Sequence, residues 1–159
     1  MKTDWVRDLT EKLSIGSLPG PTAHRKMIHP HRSLEFPPEN AKLAGVMALF
    51  YPKEGEWQMV LIERQSFDAR DQHKGQISFP GGKFDAIDTD LTSTAIRETQ
   101  EEIGVFSHNI QILGSLTPIY ISIIFNYINF KILDLMIMPI KIIKCKKILM
   151  KISILVCLL

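Results

Sequence analysis

The stretch Arg97-Glu98-Thr99-Gln100-Glu101-Glu102-Ile103-Gly104-Val105 decides how this sequence is read. Glu98, Glu101 and Glu102 stand at i, i+3 and i+4. At about 3.6 residues per turn, their carboxylates share one helix face within about 100° of arc. Like charges at that spacing repel and destabilise a helix by about 0.2–0.5 kcal/mol per pair. A hard divalent cation such as Mg²⁺ or Mn²⁺ takes carboxylate oxygens together with waters and phosphates, and it turns that repulsion into attraction. The same spacing also describes a solvated acidic face. The surroundings favour the metal: Arg97 adjoins the acids and can position one of them. Upstream, Phe79-Pro80-Gly81-Gly82 supplies a stiff entry and a backbone without side chains, which a ligand or metal can approach closely.

Working outward, the acids belong to a helix that Asp88, Thr89 or Asp90 can cap, with Gly104 placed for a left-handed C-terminal cap. Ile96, Thr99 and Ile103 form its packing stripe. Before it, Leu43 to Tyr51 is a continuous apolar run of strand length, Pro52 to Glu56 is turn chemistry, and Trp57 to Arg64 is a second strand completing a hairpin. Ser66 to Lys74 is a polar loop, and Gln76 to Phe79 a short strand. After the helix, Ile110 to Leu116 is another strand. At the N-terminus, Asp4 to Leu13 is amphipathic, with Trp5, Val6, Leu9 and Leu13 at near-helical spacing. Gly16, Pro19, Gly20 and Pro21 then end regular structure, and residues 22–40 read as an irregular arm. Strand, strand, loop, helix and strand in this order indicate an α/β or α+β domain.

The chain has 159 residues, 45% hydrophobic and 23% charged, with a formal net charge of +2. Those values suit one soluble domain and give no case for nucleic-acid or membrane partners. The charged start, Met1 to Asp8, lacks the apolar core of a secretion signal, and Cys145 and Cys157 have no His nearby for a zinc site. A reducing cytoplasm is the expected compartment.

The chemistry expected of the acidic face is phosphate chemistry. Metals bridging pyrophosphate oxygens neutralise charge and lower the pKa of a bound water. A carboxylate of the cluster can then take the proton as water attacks phosphorus. Glu98, Glu101 and Glu102 are the candidate metal ligands, with Glu98, Glu101 and Arg97 as the candidate catalytic set. Arg64, His73, Gly81 and Gly82 are candidate substrate contacts. For His73 and Lys74, a plain surface position on a polar loop is an equal reading.

Residues 82–105 resemble the Nudix box, which runs from a Gly through a mid-loop acid to Arg-Glu-apolar-x-Glu-Glu-x-Gly-apolar. Here Thr99 replaces an apolar residue, Asp88 stands for the mid-loop Glu, and the segment from Asp88 to Arg97 is one residue longer than usual. That longer form, with Phe79-Pro80-Gly81-Gly82, Gly75-Gln76-Ile77-Ser78 and an inexact Leu61-Ile62-Glu63-Arg64-Gln65-Ser66, resembles the coenzyme A pyrophosphatase branch. The resemblance covers about residues 40–120 and implies a Nudix α/β/α sandwich with a mixed sheet. It also implies hydrolysis of coenzyme A, or its acyl derivatives, to 3′,5′-ADP and 4′-phosphopantetheine. Glu98, Glu101 and Glu102 would hold Mg²⁺ or Mn²⁺, Arg97 would orient the glutamates, and Gly82 would offer its carbonyl to the metal. Hydrolysis of another nucleoside diphosphate derivative, such as ADP-ribose or a nucleotide sugar, is the alternative, and a truncated, inactive remnant is a third reading.

Residues 1–39 thus read as a helix with an irregular arm, 40–120 as the hydrolase domain, and 121–159 as an atypical tail. Residues 121–159 contain no Gly, Ala, Glu, Gln, Arg, His or Trp, and twelve of these 39 residues are Ile. Leu116-Thr117-Pro118-Ile119-Tyr120-Ile121 is the last segment that resembles the family, and Asp134 is the one acid beyond it. A membrane segment, a divergent part of the core, and a reading-frame shift or truncated gene read into AT-rich sequence all remain open. The codon bias of the residues favours the frame shift. It makes the C-terminal part of the fold aberrant or incomplete.

Overall fold

The computed structural model describes residues 4–16, 18–27, 41–64, 75–121 and 128–137. The amphipathic N-terminal stretch forms α1, Asp4–Ser14. A second helix follows, α2, Gly20–Met27, where breakers and an irregular arm were expected. Pro21 explains the difference. Proline cannot continue a helix, but at its first turn the missing N–H is no loss and the fixed φ suits helical entry. The rest of the expected arm, residues 28–40, lies outside the described residues.

Strand β1, Ala44–Lys53, is the apolar run, buried over its first eight residues. It turns through Glu54 and Gly55, both at positive φ, into β2, Glu56–Met59. Positive φ at both turn positions matches the twist of an antiparallel hairpin. The second strand is not continuous to Arg64 as expected. It breaks after Met59, and β3, Ile62–Glu63, leaves to pair with β4, Ile77–Ser78, in a separate two-stranded sheet. Strand β5, Gly81–Lys83, returns antiparallel to β1. Helix α3, Leu91–Ile103, carries the glutamates. A short 3₁₀ turn, Ser107–Asn109, leads to β6, Gln111–Ser115. Strands β7, Ile119–Ile121, and β8, Ile128–Ile137, complete the order.

The larger sheet runs β2-β1-β8-β6, with β5 also on β1 and β7 also on β8. Strand β8 is parallel to β1 and antiparallel to β6, so the sheet is mixed. Within the stretch set apart as a tail, the backbone of residues 128–137 therefore lies between β1 and β6. Among the described residues no helix is long and apolar enough to cross a membrane.

The period-2 alternation of β1 divides the core into two layers. Met47, Leu49 and Tyr51 face one side, where Ala95 and Val105 bury against them and Ile96 and Ile103 of α3 pack. Ala48 and Phe50 face the other, where Trp5, Val6, Leu9 and Leu13 of α1 pack. Trp5 meets Phe50 and Trp57 edge-on at centroid distances of 5.6 and 5.3 Å, a geometry aromatic rings favour. The expected α/β/α sandwich results, with the expected stripe of Ile96, Thr99 and Ile103 turned inward.

Helix α3 approaches the sheet very closely. A Cβ added at Gly45 would stand 2.3 Å from the Leu91 carbonyl oxygen and 2.8 Å from the Ala95 nitrogen. Both are backbone atoms that cannot swing aside. Gly45→Ala is therefore expected to destabilise the fold by about 1–3 kcal/mol, the range for an overpacked core. Urea unfolding followed by circular dichroism measures it, and an unchanged midpoint would contradict this seating of α3.

Candidate active site

The helix that carries the acids is defined at both ends. Asp90 is the N-cap: its carboxylate accepts from the Ser93 N–H at 2.7 Å, and the Ser93 hydroxyl bonds back to the Asp90 N–H at 3.1 Å. Gly104, at φ 74°, is the left-handed C-cap that was expected. Of the three candidate caps, Asp90 takes the role, which leaves Asp88 free for another.

Asp88 anchors Arg97. The guanidinium donates from Nε to Asp88 Oδ1 and from Nη2 to Asp88 Oδ2, both at 2.9 Å. This two-toothed pair matches the planar fork of arginine to the carboxylate. Nη2 also donates to the Lys83 carbonyl at 3.0 Å, which ties helix to β5. Nη1 is directed to the working face, donating to Glu98 Oε1 at 2.9 Å and to Glu101 Oε1 at 3.4 Å. The guanidinium is rigid, so fixing Nε and Nη2 also fixes Nη1. The structure thus gives Arg97 contacts to two of the glutamates that the sequence reading assigned to it.

Glu102 is held differently, accepting the Gly81 N–H at 3.0 Å. Gly82 lies under Glu98: a Cβ there would stand 2.3–2.5 Å from the Glu98 carboxyl atoms. Gly81 has a φ of 148°, and a Cβ on it would stand 2.4 Å from the Gly45 carbonyl oxygen. Only glycine satisfies that combination of backbone angle and closeness. Gly81 and Gly82 therefore join Glu98, Glu101, Glu102 and Arg97 in one place. Arg64 follows β3, its main-chain N–H on the Gln76 carbonyl at 2.9 Å, beside the smaller sheet. His73 lies outside the described residues.

One guanidinium thus faces three carboxylates, Asp88, Glu98 and Glu101, with Glu102 a turn away on the same helix. The excess of negative charge and the all-oxygen donor set suit Mg²⁺ or Mn²⁺, and the Gly82 cradle leaves a carboxylate where any side chain would displace it. Among the described residues, no three His, Cys, Asp or Glu side chains converge into a closed cation cage. The acids share a face, Glu98 and Glu101 turned to Arg97 Nη1 and Glu102 to the Gly81 N–H.

Two residues were not singled out for what they do here. The sequence pattern marks Asp88 as a cap or mid-loop acid and gives Thr94 no role. Asp88 Oδ2 accepts from the Thr94 hydroxyl and from the Asp85 N–H, each at 2.9 Å. The Asp88 side chain is 3% exposed. Its hydrogen bonds from Arg97, above all, hold its pKa well below the usual carboxylate range, while the same pair raises that of Arg97.

With this geometry in view, a model of the NUDIX domain family matches residues 41–126, and the chain belongs to that family. It is 45% identical over 60 residues to the Nudix hydrolase NudL of Pectobacterium atrosepticum, covering 38% of this chain and 31% of that protein. It is 51% identical over 49 residues to a mitochondrial coenzyme A diphosphatase of Mus musculus, covering 31% of this chain and 23% of that one. The chain thus spans under a third of the length of these relatives. An Ap4A hydrolase from C. elegans has a similar fold, with a TM-score of 0.51 at 19% identity, over 62% of this chain and 69% of that one.

The Asp88 pair has a definite pH signature. A folded pKa below the unfolded value near 3.9 contributes stability that is complete above about pH 5. That contribution shrinks as pH falls through the unfolded value and toward the lower folded one. Asp88→Asn is expected to be less stable than the parent at neutral pH, with the gap closing below about pH 4. Urea midpoints across pH 2–7 check this; a gap that is independent of pH would show that the ion pair is not its source.

Proposed function

We propose that the chain is a metal-dependent pyrophosphohydrolase whose substrate is coenzyme A or an acyl derivative, cleaved to 3′,5′-ADP and 4′-phosphopantetheine. One observation carries the reading: the Arg97-braced glutamate face of α3 set against the Gly81-Gly82 backbone. The local identity to coenzyme A diphosphatases over the matched stretch supports the substrate.

Glu98, Glu101 and Glu102 would hold Mg²⁺ or Mn²⁺. The ion would screen the charge of the pyrophosphate and acidify an attacking water. Arg97 holds Glu98 and Glu101 at fixed spacing, and the Gly81 N–H keeps Glu102 turned toward the β5 backbone. Glu101, whose side chain is 59% exposed, is the most accessible of the acids held by Arg97. It is the carboxylate best placed to accept a proton from solvent-borne water. The absence of a side chain at Gly82 leaves room for the Glu98 carboxylate itself against the β5 backbone.

Incubating the purified protein with coenzyme A and Mg²⁺ or Mn²⁺ is expected to release 3′,5′-ADP. A panel that also holds ADP-ribose and a nucleotide sugar separates this from the other substrates. Faster turnover of one of those would overturn the substrate, and no hydrolysis of any would overturn the activity. Glu101→Gln and Glu102→Gln are each expected to lower turnover by about 100-fold or more. Because each removes like-charge repulsion along the helix, neither should lower the unfolding midpoint greatly.

A further inference from the structure

We infer that Thr94 is a positioning residue for this site, its hydroxyl holding Asp88 so that Asp88 holds Arg97 and Arg97 holds the glutamates. The inference rests on the proposed function only in taking the α3 glutamates as the working groups.

Thr94 is fully buried, at 0% exposure. Its Oγ1 lies 2.9 Å from Asp88 Oδ2 and 3.1 Å from the Asp90 carbonyl oxygen four residues earlier. A hydroxyl has one proton to give. Bonding the preceding turn is the ordinary habit of a helical threonine, but here the nearer acceptor is also ionised. A charge-assisted bond is stronger than one to a carbonyl, so the proton goes to Asp88.

The consequence follows from the count of donors. The Arg97 fork fixes the Asp88 carboxylate relative to the guanidinium, which one bond to the Lys83 carbonyl ties to β5 but nothing in the fork ties to the Thr94 turn of α3. Two further donors tie the carboxylate to the frame: the Asp85 N–H within the loop and the Thr94 hydroxyl on α3. Thr94 and Arg97 are three residues apart, so Asp88 spans one turn of the helix between them. With the Asp88 side chain 3% exposed, water is poorly placed to replace a lost donor. Removing the hydroxyl therefore loosens Asp88 against the helix, and with it Nη1 of Arg97 against Glu98 and Glu101.

Hydrogen exchange of the Arg97 Nε–H, followed by ¹⁵N NMR in the metal-free protein, tests this without substrate. Thr94→Val keeps the shape and removes the hydroxyl, and Thr94→Ala removes it without any risk of crowding. Both are expected to speed exchange by about tenfold, while Thr94→Ser restores the parent rate. In an Asp88→Asn background, Thr94→Val should add little. Exchange that is unchanged in a folded Thr94→Val or Thr94→Ala, or effects that simply add in the double variant, would overturn the role. Turnover supplies the second readout: Thr94→Val should lower kcat by a similar factor with KM unchanged, and Thr94→Ser should recover it. The exchange experiment can succeed where no hydrolysis is found, and fail where hydrolysis is robust, so the two proposals stand or fall separately.

Discussion

Helix α3 lies so close to the sheet that a methyl group would not fit at Gly45 or Gly82. Much follows from that closeness. It lets the Glu98 carboxylate rest on bare backbone and brings the Glu102 carboxylate within reach of the Gly81 N–H. It also sets the core, since Ala95 and Thr99 can then reach Met47, whose sulfur lies 3.3 Å from the Thr99 hydroxyl. A helix carried at the usual distance of a side-chain layer would leave the carboxylates free to swing. The glycines are best understood as the spacer that sets the height of the acids above the strand.

That closeness concentrates negative charge, and Arg97 is what makes it tolerable. The sequence places its guanidinium within about a turn and a half of three glutamates, but it is Asp88 that decides which way it points. The Asp88 carboxylate uses one side of the fork, leaving Nη1 for Glu98 and Glu101. Without that partner, a flexible arginine could pair with any of the acids in turn. An inward charge pair thus holds an outward-facing set of acids, one small buried interaction giving order to a more solvated one.

The limits of α3 were legible because their chemistry is local: Asp90 with Ser93 at one end and Gly104 at the other signal themselves within a few residues. The packing stripe was legible too, including the polar Thr99, since periodicity counts position before hydropathy. The role of Asp88 was not, because its contact nine residues away follows from the path of the Lys83–Asp90 loop, which no periodicity describes. Thr94 was hidden by its ordinariness, as a buried helical threonine usually needs no explanation. Helix α2 was missed by treating Gly20 and Pro21 as breakers when proline at a first turn is a starter. The split of the second strand after Met59 depends on where β3 finds a partner, β4, which is a tertiary matter. The place of β8 beside β1 was equally out of reach, being a parallel pairing between segments far apart in the chain.

That parallel pairing also orders events in time. Strand β8 lies between β1 and β6, yet it is the last described strand to leave the ribosome. By the time Ser115 is made, β1 can have acquired β2 and β5, but its other side and the β6 edge still lack the strand that pairs with both. Contacts of such long sequence separation form slowly because the intervening chain must first be closed into a loop. The nascent protein therefore carries one side of β1 unpaired until β8 is made, joined by the β6 edge over the shorter stretch after Ser115, and these are the surfaces a chaperone, or a second nascent chain, would meet first.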